Sequence, residues 1–208
     1  MIEVKNISKR YRNTVLDDIS FTAEKGQCIG IIGANGCGKP HCFLLWLVST
    51  RHSLENILQQ WTCRQEKCFQ KVYCLCTTGN PLIDELTTKD NLLLWLGSNR
   101  KIKDGFENGV LKDLGIDEFL NKQVNELSGG MKRRLSIGIS LSNNAPIMLL
   151  DEPGSALDIY GKQEVNSYIS NYVKNGGTVV MSTHDRDEID LCTKLYKIED
   201  GILKECEG

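Results

Sequence analysis

Gln27-Cys28-Ile29-Gly30-Ile31-Ile32 runs directly into Gly33-Ala34-Asn35-Gly36-Cys37-Gly38-Lys39, an apolar stretch followed by a glycine-rich turn. The first piece reads as a buried strand and the second as the loop that carries the chain toward a helix. The loop has the G-x-x-x-x-G-K spacing of a phosphate cradle. Its glycines let successive backbone N–H groups turn inward around a β-phosphate, and a lysine ammonium reaches the β/γ oxygens. The bland alternative, a flexible strand-to-helix turn, needs neither the lysine nor the spacing. Gly33, Ala34, Asn35, Gly36, Cys37, Gly38 and Lys39 are therefore expected at the phosphates of a nucleotide. The last position breaks the pattern: Pro40 stands where a serine or threonine hydroxyl should meet Mg²⁺.

Outward from this loop, the chain alternates apolar strands with helical patterns. Ile19-Ser20-Phe21-Thr22-Ala23 alternates as a half-buried strand, and Glu24-Lys25-Gly26 turns. A helix is expected from a Thr87 or Thr88 cap, with Leu92, Leu93, Trp95 and Leu96 as its apolar face. Others are expected over Val110–Leu114, from a Ser128 cap to Leu141, and from Gln163 to Val173, stopping at Asn175-Gly176-Gly177. Ile147–Leu150 and Thr178–Ser182 read as buried strands, and Leu195–Glu199 with Ile202–Lys204 as a hairpin around Asp200-Gly201. Alternation of this kind implies an α/β fold with a largely parallel sheet wrapped by helices.

Composition narrows the class. A formal net charge of −2 gives no basic stripe, so nucleic acid is not expected as a partner. No run of ~20 apolar residues spans a bilayer, and Met1-Ile2-Glu3-Val4-Lys5 lacks the apolar core of a signal peptide. A cytoplasmic protein is expected. Five of the nine cysteines, Cys42, Cys63, Cys68, Cys74 and Cys76, crowd into residues 40–79, but their spacing gives no paired C-x2-C zinc frame. Nothing points to export and a disulfide framework.

Leu127-Ser128-Gly129-Gly130-Met131-Lys132-Arg133-Arg134 is the most specific segment. Ser-Gly-Gly at a helix start offers N–H groups and a hydroxyl to an anion, and the helix dipole adds attraction. It precedes Ile147-Met148-Leu149-Leu150-Asp151-Glu152-Pro153, an apolar strand whose carboxylates emerge at its end. Together the three segments resemble the phosphate loop, signature and acidic strand of the ABC (ATP-binding-cassette) ATPases. The resemblance implies a P-loop NTPase core with a mixed, mainly parallel sheet, N-terminal antiparallel strands and a helical subdomain near 84–142, all in one domain over 1–208. It implies ATP and Mg²⁺ as ligands, with Asp151 on the metal and Glu152 orienting or deprotonating the attacking water. Thr183-His184-Asp185 resembles the switch that brings a histidine, here His184, to the γ-phosphate. Ser155-Ala156-Leu157-Asp158 resembles the loop that crosses between paired domains, and Tyr11 matches the aromatic that stacks on adenine. Two such domains, in a homo- or heterodimer, would sandwich ATP between one phosphate loop and the other's Ser128, Gly129 and Gly130. Closure would drive a transmembrane subunit from the inner face of the membrane. A cassette acting on nucleic acid or ribosomes, and a catalytically defective relic, are the other readings. The short C-terminus after the last hairpin points toward an exporter-like system.

Residues 40–79 depart from the resemblance. The family's glutamine at the end of a strand after the phosphate loop has no counterpart around Gln65 or Gln70. Two of three tryptophans and two of three histidines join the cysteines there, a composition that wrong-frame translation produces. Pro40-His41-Cys42-Phe43, encoded CCN CAY TGY TTY, regroups with one added base to NCC NCA YTG YTT, which permits Ser-Thr-Leu-Leu. Continuing through Val48 permits a run ending Leu-Ala-Gly. Leu75-Cys76-Thr77-Thr78-Gly79 regroups to TNT GYA CNA CNG GNA, which permits Tyr-Val-Pro-Gln-Glu. The segment is expected to be a frameshifted reading of an ordinary cassette, from sequencing error or gene decay. Sequencing the encoding DNA checks this: the codons should regroup to Ser-Thr after Lys39 and to Gln near position 78, and codons that cannot do so would refute it.

Overall fold

The computed structural model describes residues 2–11, 14–33, 73–76, 82–107, 109–142 and 146–206. β1 (Ile2–Tyr11) and β2 (Thr14–Ala23) form an antiparallel pair. β3 (Cys28–Gly33) and β4 (Tyr73–Cys76) follow, and then a run of helical elements. These are α1 (Thr88–Leu96), α2 (Asn99–Glu107), α3 (Val110–Asp113), two 3₁₀ turns, and α4 (Gly129–Leu141). β5 (Ile147–Asp151), α5 (Ile159–Lys174), β6 (Thr178–Ser182), α6 (Arg186–Ile189) and the hairpin β7 (Lys194–Glu199) and β8 (Ile202–Cys206) complete the order.

The sheet runs β4-β5-β6-β3-β7-β8 among the described residues. Every neighbouring pair is parallel except β7–β8, so the sheet is mixed and mainly parallel, with a separate antiparallel pair at the N-terminus. β5 and β6 are buried at all five positions. Helices on both faces require that, and it is why both strands are written as unbroken apolar runs rather than alternating ones.

α4 shows how the sequence sets a helix. Ser128, extended at its own backbone, accepts the Met131 N–H and satisfies an orphan donor of the first turn. From Leu135 onward the helix is buried at every position to Leu141, so its second half runs through packed surroundings rather than over a surface. A Cβ on Gly138 would sit 2.5 Å from Ile116 Cδ1, so glycine there lets the 3₁₀ turn approach closely.

Two sequence expectations are corrected, and one strand is added. On α1 only Leu92 and Leu96 of the expected apolar face are buried, beside Thr88 and Asn91; Leu93 (43% exposed) and Trp95 (38%) face outward. Helical periodicity explains it, because residues 92 and 93 lie 100° apart and cannot both centre on one narrow contact. The Asn91 amide fixes the rotation by bonding to Ile83, Leu86 and Thr87 carbonyls. α5 begins at Ile159, earlier than its apolar pattern suggests, because Asp158 caps it through the Gly161 N–H. The added strand is β4, just after Trp61–Gln70, and it pairs in register with β5, Cys76 against Leu150.

Candidate functional site

The parallel strands end together. Asp151 of β5 stands opposite Ser182 of β6, and Ser182 stands opposite Ile31 of β3, two residues before Gly33. The carboxyl edge of the sheet thus gathers Gly33, Asp151, Glu152, Thr183 and His184, with the end of β4 alongside. Ligands bind at such an edge in open α/β sheets. Ala34, Asn35, Gly36, Cys37, Gly38 and Lys39 lie outside the described residues, as does the side chain of Tyr11, whose backbone ends β1.

Asp151 is buried, and the Ser182 hydroxyl donates to its Oδ1 at 2.6 Å. Glu152 follows with φ +45°, a left-handed conformation that costs a non-glycine residue roughly 1–3 kcal/mol. The surroundings hold it there: its N–H donates to Ser182 O, and its carbonyl accepts from Ser155 N–H and from Arg133 Nη2. The turn throws the Glu152 carboxylate out of the strand line to meet His184, Oε1 to Nδ1 at 3.3 Å. Both side chains reach solvent, at 42% and 78% exposure, so a ligand could approach them. A carboxylate and an imidazole in contact at a strand edge can orient a water and hand on its proton.

Three consecutive cations on α4 show where the signature segment is tied. Lys132 pairs with Asp84 at 2.9 Å. Arg134 reaches both carboxylate oxygens of Asp158, at 3.2 and 3.0 Å. Arg133, between them, turns inward and donates to the carbonyls of Asp151 and Glu152 at 2.8 and 2.6 Å. Arg133 was not singled out in the sequence, although residues 100° apart on a helix cannot all face water, so a run of three cations signals one that faces in. Asp158 is therefore a helix cap held by its own chain's Arg134; the Gly161 N–H, with help from the guanidinium, keeps its carboxyl below the usual range.

Ser128, Gly129 and Gly130 sit at the open end of α4. A Cβ on Gly130 would meet the Ala156 carbonyl at 3.4 Å, but one on Gly129 would meet nothing within 4 Å. No crowding within the described chain accounts for a glycine at 129. On the far side of the site, Lys162 of α5 bonds Asp185 at 2.6 Å, and that bond holds the Asp185 carboxyl low.

A family model described as ABC transporter matches residues 16–155, two thirds of the chain. The chain belongs to the ABC transporter family. This ATP-binding cassette is 31% identical over 215 residues to the uncharacterized ABC transporter ATP-binding protein YybJ of Bacillus subtilis, covering 100% of this chain and 96% of that protein. It is 28% identical over 207 residues to the Nod factor export ATP-binding protein I of Rhizobium etli, covering 96% of this chain but 66% of the relative's length. Among solved structures it resembles an ATP-binding subunit of an ABC transporter, with TM-score 0.82 at 20% identity over 97% of this chain and 87% of that one. It also resembles a dimeric cassette in a post-hydrolysis state bound to ADP and Pi, with TM-score 0.78 at 22% identity over the whole of both chains. At these identities the structures establish the cassette fold.

Arg133→Ala should destabilise the cassette by about 1.5–3 kcal/mol, the scale of hydrogen bonds from a charged donor. Arg134→Ala removes a partly exposed pair and should cost under about 1 kcal/mol. Urea unfolding checks both, as midpoint shifts at unchanged slope.

Proposed function

We propose that this chain is the ATP-binding subunit of an exporter-type ABC transporter, and that the polypeptide as written is impaired in hydrolysis. The observation that carries the first half is the meeting of Asp151, Glu152 and His184 at the carboxyl edge beside the strand that leads into Gly33. In this reading Lys39 and the N–H groups of residues 33–38 hold the phosphates, and Tyr11 stacks on the adenine. Glu152 orients or deprotonates the attacking water, and His184 contacts the γ-phosphate. Ser128, Gly129 and Gly130 receive the ATP of a second cassette, homologous or identical. The unexplained glycine at 129 supports this, since close approach of a ligand from outside the chain would require it.

Mg²⁺ would supply charge neutralisation at the β/γ oxygens. The buried Asp151 carboxylate suits a hard cation. The donor set is nevertheless short by one hydroxyl, because Pro40 occupies the position after Lys39. Pro40 also lacks the N–H that a phosphate-loop helix turns toward its anion.

The register of β4 supports the frameshift reading. Cys76, the last described residue of the strand, stands opposite Leu150, one residue before Asp151; Thr77 and Thr78 come next in the sequence and lie outside the described residues. The regrouped codons place glutamine at 78, after a strand in the expected position. The regrouping at Leu75 is displaced one further base from that at Pro40. Three base losses of one sense, before codon 40, between codons 48 and 75, and at Asn80, therefore restore the frame.

The membrane partner follows from the family and from a surface feature. Leu93, Leu94 and Trp95 of α1 are exposed, with Ile83 nearby in the sequence, also exposed. Exposed apolar side chains such as these are available to a partner. No helix among the described residues is long and apolar enough to cross a membrane, so transport needs another chain or segment. The names of the relatives, Nod factor export and macrolide export, favour export. Affinity purification of the tagged chain from detergent-solubilised membranes should retain a polytopic membrane protein encoded by a neighbouring gene. Recovery with ribosomes or nucleic acid instead would overturn the transport reading.

A further inference from the structure

Glu188 lies on α6, is 2% exposed, and has no part in the roles assigned above. A buried carboxylate is costly unless its oxygens are bonded. Both are. Oε1 accepts the Gly154 N–H at 2.7 Å, and Oε2 accepts the Thr183 hydroxyl. These donors belong to two different loops. Gly154 is two residues past Glu152, after β5, and Thr183 is one residue before His184, after β6.

The approach is tight on the Gly154 side. A Cβ there would lie 2.5 Å from Glu188 Oε1 and 3.3 Å from Lys162 Cγ, so only glycine admits the carboxylate. Thr183 is fixed on its other sides: its N–H donates to Ile31 O of β3, and its hydroxyl oxygen accepts the Asp185 N–H. The cap of α6 is already supplied by Asp185, which accepts the Asp187 N–H. Glu188 is thus not needed to start its own helix. Burial pushes its carboxyl above the usual range, and the Thr183 and Gly154 donors oppose that rise.

We infer that Glu188 is a positioning residue for hydrolysis: its one carboxylate clamps the Glu152 loop to the His184 loop, so that the two side chains meet. This rests on the roles proposed above for Glu152 and His184. Without the clamp, two loops from adjacent strands would each keep their strand anchor but lose the cross-tie that sets their separation. The Glu152–His184 contact, at 3.3 Å, is what that separation controls.

The test uses isotope-labelled full-length chain without nucleotide, so it does not depend on turnover. Three signals are read: the nuclear Overhauser contact between the His184 ring and the Glu152 side chain, the His184 ring resonances, and exchange of the Gly154 amide. Glu188→Ala should abolish the contact, move the ring resonances and speed Gly154 exchange about tenfold, the scale of one lost hydrogen bond. Glu188→Gln keeps an acceptor for Gly154 and offers an N–H to the Thr183 oxygen, and should restore all three signals. Where Glu188→Ala fails to fold, Thr183→Val severs one arm only: the His184 contact should weaken while Gly154 stays protected. A folded Glu188→Ala or Thr183→Val chain with an unchanged His184–Glu152 contact overturns the clamp. Loss of the contact as expected in a chain that fails to bind ATP would instead uphold the clamp and refute the nucleotide reading.

Discussion

The alignment of β5 with β6 governs this molecule's chemistry. Parallel pairing sets Asp151 level with Ser182, and the hydroxyl-to-carboxylate bond between them seals the ends of two fully buried strands. Parallel strands point the same way, so the residues that follow each strand emerge at one edge. A slip of one residue would turn Asp151 to the opposite face of the sheet. It would also separate Glu152 from His184. The strained backbone of Glu152 exists because that register is fixed first, by burial, and the loops are then tied to it by Arg133 and Glu188.

The candidate site is held by groups outside the set proposed to meet the nucleotide. Arg133 grips the carbonyls of Asp151 and Glu152 from the signature helix, and Glu188 grips the following loop from α6. The helix whose open end presents Ser128 to Gly130 is therefore bonded directly to the backbone of the acidic pair. In the pairing proposed above, those two regions would serve different ATP molecules, and the arrangement would then join the two sites physically.

Much of this was legible in the residues because it is local. Ser128 caps a helix by its own hydroxyl, and an apolar run ending in Asp151-Glu152 reads as a buried strand with acids at its end. What was not legible is tertiary or lacks local punctuation. Tyr73-Cys74-Leu75-Cys76 is short and does not alternate, and its pairing with β5 makes it a strand. α2 is mostly polar, and its one apolar pair, Ile102 and Phe106 at i,i+4, packs against the core, a short signal that the sequence reading did not use. Leu93 and Trp95 look like core by type, yet the Asn91 amide rotates their helix so that they face out. The inward turn of Arg133 depends on carbonyls 18 and 19 residues away, and the bridge of Glu188 reaches Gly154, 34 residues away. No sequence window contains them.

The proposed defect is confined to residues 40–79, and the carboxylate edge, the histidine and the signature helix lie outside that stretch. The central claim is that a sound cassette edge has been separated from its magnesium hydroxyl by a shifted frame. Steady-state turnover at saturating Mg²⁺-ATP, measured for the purified chain as written beside the chain translated from the frame-restored gene, tests it most directly. The account predicts background hydrolysis for the first and clear turnover for the second; near-normal turnover by the chain as written would contradict it.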